Sequence, residues 1–236
     1  MELIIHKAAE RGHANHGWLN AWHSFSFANF YDPAKIQFGA LRVLNDDTIA
    51  PGMGFGMHPH NNMEIITIPL EGSVRHRDSM GNEGLVKAGE VQVMSAGTGI
   101  LHSEVNGSTV EPLKLFQIWI FPEKEQLTPR YNQKSFDTAN RSQHWQLLVS
   151  ADGSQNSLTI HQKARIARAT IEAGQALSYP VHHEGNGIYL MVVEGSAAVL
   201  GLTLSRRDAI GLTDASAVEI HATEKTEVLV LEVPMN

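Results

Sequence analysis

The sequence predicts an all-β protein made of two tandem β-barrels, and three observations predict it. Short runs rich in Val, Ile and Leu recur along the chain, punctuated by Gly, Asn and Asp. Extended apolar periodicity of the helical kind is missing, so helix is expected only as single turns at residues 18–22 and 32–36. A stretch of the first half, Pro51-Gly52 through Leu70-Glu71-Gly72-Ser73-Val74, has a counterpart at Ala173-Gly174 through Val193-Glu194-Gly195-Ser196-Ala197. A single insertion aligns the two, as expected of a duplicated unit.

Taken in order, strands are predicted at residues 40–44, 64–70, 90–94 and 113–120, then at 188–193 and 227–233. Each is a short apolar run of the kind that fits a pleated, half-buried surface. Glu71-Gly72-Ser73 and Asp78-Ser79-Met80-Gly81-Asn82 supply hairpin turns. The runs around Ile118 and Val230 hold equivalent places as closing strands. Residues 122–142 change character: they are polar, interrupted by Pro122 and Pro129, and without a period. They read as a crossover that divides the chain into residues 1–130 and 131–236.

Composition narrows the class. With 42% apolar and 18% charged residues, the chain of 236 residues can bury a sizeable core. Its net charge of −7 and lack of a basic stripe argue against direct nucleic-acid binding. Arg75-His76-Arg77 and Arg206-Arg207 read as solvated charge at strand ends. The absence of cysteine excludes disulfides and thiolate metal sites and fits a reducing cytoplasm. The apolar run at the N-terminus is too short for a secretion signal, and no run approaches the ~18 residues of a membrane span. A cytoplasmic protein with no membrane contact, and a monomer, is expected.

The chemistry is concentrated in His58-Pro59-His60 and His102-Ser103-Glu104. Each is a pair of metal-ligating residues at i, i+2, which a strand turns to one face. Two such strands side by side would bring three imidazoles and a carboxylate to one point. Gly52, Gly54 and Gly56 permit a close approach before the first motif, and Gly97 and Gly99 let the second strand bend. Without thiolates a closed structural zinc site is disfavoured, whereas imidazole and carboxylate suit an open site for Fe(II), Mn, Ni, Cu or Zn. Glu64 competes with Glu104 for the carboxylate role. Spacing favours Glu104, with Glu64 orienting a ligand imidazole, but the residues alone leave that choice open. In the second copy Pro180 stands where His58 does and His182 faces His60. His182 and His183 are adjacent and point to opposite faces of a regular strand, so that trio reads as surface or interface histidines.

These motifs resemble those of cupins. Gly52-x5-His58-x-His60-x3-Glu64 is similar to the first cupin motif, with Gly72 one residue late. In the second, Ser95 replaces the usual proline, extra residues separate Gly97 from His102, and Asn106 is in place. The departures, with residues 11–19, 22–29, 41–47 and 94–100, resemble the pirin family over nearly all of the N-terminal half. The C-terminal half is similar only in length, the Glu-Gly-Ser turn and the loss of ligands. The resemblance implies a bicupin, two barrels of the jelly-roll type, in which only the N-terminal one binds metal. It implies ligands at His58, His60, His102 and Glu104, and leaves Glu64 off the metal.

The resemblance also implies an activity, dioxygenation of a flavonol such as quercetin, with cleavage of the heterocyclic ring and release of carbon monoxide. The flavonol's hydroxyl and neighbouring carbonyl would chelate one divalent metal, with Glu104 accepting the hydroxyl proton. Iron(II) is favoured over zinc, nickel, copper, manganese or cobalt. The expected partners are a flavonol or other small phenolic compound and O2. Phe25, Phe27, Phe55 and Trp119 are the candidates to line a flat apolar cleft. The ligand histidines must be neutral, so activity should fall at acid pH. The alternative is a metal-dependent, redox-sensing regulatory or binding protein of the pirin type. A third option is other cupin chemistry, such as isomerisation or hydrolysis.

Overall fold

The computed structural model describes residues 2–235. Strand β1 (Leu3–His6) comes first. The N-terminal barrel follows as β2 (Gly12–Asn15), β3 (Leu19–His23), β4 (Leu41–Ile49), β5 (Gly54–His60), β6 (Glu64–Glu71) and β7 (Ser73–Asp78). It continues through β8 (Glu83–Lys87), β9 (Glu90–Ser95), β10 (Ile100–Asn106), β11 (Leu113–Ile120) and β12 (Arg130–Ser135). The C-terminal barrel holds β13 (Gln146–Ser150), β14 (Leu158–Thr159), β15 (Arg165–Ile171), β16 (Ala176–Pro180) and β17 (Asn186–Glu194). It ends with β18 (Ser196–Val199), β19 (Leu202–Ser205), β20 (Ala209–Leu212), β21 (Ala217–Ala222) and β22 (Thr226–Pro234).

Each barrel sets a seven-stranded sheet against a four-stranded one. The small sheets run β5-β10-β7-β8 and β16-β21-β18-β19, and the large ones contain β9-β6-β11-β4-β3 and β20-β17-β22-β15-β13. The two orders match strand for strand, which bears out the duplication. The shared turn has one conformational cause: Gly72 (φ +78°) and Gly195 (φ +87°) join β6 to β7 and β17 to β18, in a region that glycine enters without a Cβ penalty. The large sheets pack back to back. On β11, Phe116, Ile118 and Ile120 join a buried cluster with Tyr189, Met191, Leu229 and Leu231 of the other barrel. The alternate residues Leu115, Gln117 and Trp119 fall on the opposite face, the interior of the first barrel.

Several expectations are corrected. Residues 18–22 form no helical turn: Leu19, Ala21 and His23 are buried alternately with half-buried Asn20 and Trp22, and this period of two makes β3. Residues 32–36 form turns, closed by the Lys35 amide on the Asp32 carbonyl at 2.9 Å. The crossover at 122–142 contains β12, paired with β9 along its length, and a one-turn 3-10 helix at Thr138–Arg141. Strands also pass across the division drawn at 130/131, because β12 starts at Arg130 in the first barrel while β1 pairs with β20 of the second.

Candidate metal centre

Strands β5 and β10 lie antiparallel, with His58 directly opposite His102 and His60 opposite Ile100. A bulge between His102 and Glu104 shifts the register, so that Glu104 faces Phe55. Gly54 makes the pairing possible, since a Cβ there would lie 2.3 Å from the Glu104 carbonyl oxygen. Ring centroids are 4.4 Å apart for His58 and His102, 4.9 Å for His58 and His60, and 4.9 Å for His60 and His102. One nitrogen from each of the three lies within 4.8 Å of the others. The predicted imidazoles therefore converge.

Burial keeps two of these rings neutral. It is the largest cause lowering the His60 pKa to about 4 and the His102 pKa to about 3, with neighbouring histidines next. A neutral ring offers a lone pair to a cation. The Nδ1–H of His58 donates to the Gly56 carbonyl at 2.7 Å, which leaves its Nε2 free. Both nitrogens of His102 are buried with no hydrogen-bond partner. Buried polar atoms are rarely left so. The donor chemistry and these orphaned atoms fit a divalent transition metal held by nitrogen ligands.

Glu104 reaches the same space differently. Its Oε1 accepts from Thr67 Oγ1 (2.8 Å) and Gln92 Nε2 (2.8 Å), and its Oε2 from Gln117 Nε2 (2.6 Å). These donors, with Asn45, form one cross-strand row on the large sheet: Asn45 opposite Gln117, Gln117 opposite Thr67, Thr67 opposite Gln92. The row in the second barrel reads Ala167, Val230, Leu190, Ile210. Glu104 groups with His102 and a further buried residue, His76, rather than with His58 and His60.

His76 corrects the reading of residues 75–77 as solvated charge. Arg75 and Arg77 are exposed, but His76 is fully buried, stacked on Tyr131 and bonded through Nε2 to Asp78 at 3.2 Å. Its Nδ1 has no partner. Val74, His76 and Asp78 are buried in alternation along β7, a pattern that the arginines between them hide in the sequence. Arg207 is likewise buried, donating through Nε to Asp46 at 2.7 Å across the barrels. Glu64 orients no ligand imidazole. It is buried and bonds the Ser95 hydroxyl at 2.7 Å and the His161 backbone, with burial raising its pKa.

The second barrel has no such centre among the described residues. The His58 equivalent is Tyr179, one residue from the expected Pro180, because Tyr179 lies opposite Val218 as His58 lies opposite His102. By the same register the partner of His60 is Val181, not His182; the bulge in β10 has no counterpart in β21. His182 and His183 instead surround Glu232, which accepts both their backbone amides and the Tyr179 hydroxyl.

Beside the three imidazoles lies a cavity of about 180 Å³, lined in part by Phe27, Phe55 and Trp119. It shares walls with an outer apolar cavity of about 300 Å³ that reaches Ala14, His16 and Trp18. Phe25 takes no part: it is buried in the contact between barrels against His6 and Tyr189. Asp47, which sequence reasoning did not single out, lines the inner cavity; burial, then Asp46 and Glu104, push its pKa up to about 8.

Comparison with known proteins gives this arrangement its context. Residues 5–120 match the family model for pirin, and residues 147–233 match that for the quercetinase C-terminal cupin domain. The chain is 48% identical over 232 residues to quercetin 2,3-dioxygenase of Escherichia coli, covering 98% of this chain and 99% of that one. It is 42% identical to a pirin-like protein of Caulobacter vibrioides over 94% of this chain and 95% of that one. The crystal structure of the bacterial pirin YhhW from Escherichia coli in complex with nickel(II) superimposes with a TM-score of 0.93 at 46% identity, covering 99% of each chain. Two barrels of cupin order, a histidine cluster confined to the first and these relationships together show that the chain belongs to the pirin family.

Proposed function

We propose that the chain is a metal-dependent dioxygenase that opens the heterocyclic ring of flavonols such as quercetin and releases carbon monoxide. The observation that carries this reading is the convergence of three imidazoles on a cavity walled by Phe27, Phe55 and Trp119. The E. coli relative named quercetin 2,3-dioxygenase, at 48% identity, supports it. We assign His58, His60, His102 and Glu104 as the ligands of one divalent ion, with iron(II) favoured. A bound ion supplies Lewis acidity at the flavonol's hydroxyl and carbonyl.

The chain's own residues do the rest. The aromatic walls receive the flat rings and exclude water. Glu104 takes the hydroxyl proton on Oε2, the oxygen that carries one hydrogen bond rather than two. Gln92, Gln117 and Thr67 hold that carboxylate still, so no reorganisation accompanies the transfer.

The test is loss of quercetin absorbance in air, with carbon monoxide measured, by protein loaded with iron(II), nickel(II) or zinc(II). His58→Ala is expected to lose metal and at least 100-fold in rate. Equal turnover by the variant, or none by the wild type with any metal, overturns the assignment. A metal-dependent regulator of the pirin type is the second reading. It draws on Met53, Met57 and Leu101, exposed on or beside the strands that carry the histidines. Turnover of flavonols decides against it.

A further inference from the structure

Asp47 has no task in the ligand set, yet it lines the same cavity as His58, His60 and His102. It stands two residues beyond Asn45 on β4, so both side chains point into the barrel. It is 4% exposed, and its Oδ1 has no hydrogen-bond partner. Its cross-strand neighbours, Ala21 and Leu115, offer neither donor nor acceptor. The Asn45 side chain lines the same cavity and bonds His23 Nδ1 through its Oδ1 at 2.9 Å, but gives no hydrogen bond to Asp47 Oδ1. A buried carboxyl without partners destabilises a fold, and proteins keep such groups where a ligand completes them.

We propose that Asp47 is the specificity residue of this cavity, recognising a pair of adjacent hydroxyls on the aromatic ring of the substrate. The proposal rests on the reading of the cavity as a polyphenol site. Its chemistry is that of the carboxyl group. Two oxygens on one carbon can bond two neighbouring hydroxyls at once, as they bond both arms of a guanidinium. Leu19, Ala21, Phe27 and Phe55 of the same lining are apolar and grip the ring without reading its substituents, while the polar His23 and Asn45 are bonded to each other and Gln117 to Glu104. A ligand with a chelating group at one end and a vicinal diol at the other would use the imidazole cluster and Asp47 together. A ring without hydroxyls would leave Asp47 buried and unpaired, a penalty that discriminates strongly.

The experiment compares three flavonols that share the chelating end and carry no, one or two adjacent hydroxyls on the pendant ring. Dissociation constants are measured under nitrogen, by quenching of tryptophan fluorescence, for the metal-loaded wild type, Asp47→Asn and Asp47→Ala. The wild type is expected to favour the diol over the unsubstituted flavonol by at least tenfold, about 1.4 kcal/mol. Asp47→Ala is expected to reduce that ratio to near one, and Asp47→Asn to keep part of it. Metal content per chain is measured alongside. Removal of the unpaired carboxyl should raise the Tm of Asp47→Ala by about 2 °C or more, whereas loss of a structural residue would lower it. A diol preference that survives in Asp47→Ala, or a wild type with none, overturns the proposal. Binding with diol preference but no turnover in air would overturn the dioxygenase reading and leave this one standing. Failure to bind any of the three overturns both.

Discussion

His102 gains meaning from what surrounds it. Asp78 accepts from Nε2 of His76, which leaves His76 Nδ1 as a bare lone pair facing the cluster. The His102 ring lies 5.6 Å away, centroid to centroid, with two unpartnered nitrogens. If one of those nitrogens holds a cation, the other carries a proton that His76 Nδ1 can accept, and Asp78–His76 then fixes the tautomer of a metal ligand. His76→Phe keeps the stacking on Tyr131 and removes both nitrogens. It should weaken nickel(II) binding, measured by titration calorimetry, by about 10- to 100-fold. Unchanged affinity would make His76 a packing residue only. The clustering of His58, His60 and His102 was legible because i, i+2 spacing on a strand is a local signal. His76 and Asp47 were not, since each sits among charged neighbours in sequence and only strand pairing shows which way it faces.

At the scale of the element, β4 and β10 show how one face becomes a site. Asn45, Gln117, Thr67 and Gln92 cross the large sheet as a polar row where the sister barrel has Ala167, Val230, Leu190 and Ile210. The difference is the contrast between an open cavity and a filled core; the second barrel's interior is a buried apolar cluster. Strand positions could be read from β-branched runs, but this row could not, because register between distant strands is set by long-range pairing. The pairing of β5 with β10 depends on Gly54. Gly54→Ala would force its methyl against the Glu104 carbonyl and the Val105 Cα at 2.5 Å. The expected cost is about 1–3 kcal/mol of stability, read by denaturant unfolding, together with loss of bound metal as His58 and His102 separate. A variant that melts normally and keeps its metal would contradict this account of the strand pair.

Across the whole molecule, the contact between barrels carries charge as well as apolar surface. Arg207 and Arg11 both donate to Asp46, and the Arg207 guanidinium lies 4.9 Å from the Phe116 ring centre. His6 closes the same contact, with Nδ1 at 2.9 Å from the Tyr189 hydroxyl. Burial, aided by Lys35, holds the His6 pKa down to about 4. Its folded value lies below the unfolded 6.5, so the unfolded chain takes up the proton first as pH falls. Stability from His6 is therefore present above pH 6.5 and is lost as pH falls towards 4. Wild type should lose several degrees of Tm over that window, and more than His6→Gln loses; identical pH profiles would refute the assignment. The Glu-Gly-Ser turns made the duplication legible from sequence. The way the halves interlock was not, since nothing local in Leu3-Ile4-Ile5-His6 names a partner two hundred residues away.

That interlocking constrains how the protein comes into being. Leu3 aligns with Leu212, so β1 finds no carbonyls for its backbone amides until β20 has been made. Leu3, Ile4 and Ile5 meanwhile present a bare, sticky ribbon, and remain 44%, 38% and 38% exposed even after docking. The strands of the N-terminal barrel, β2 to β12, all precede β20 in the chain and can pair while that ribbon is still unmatched. The seam between the two barrels is thus the last part of the fold that can form.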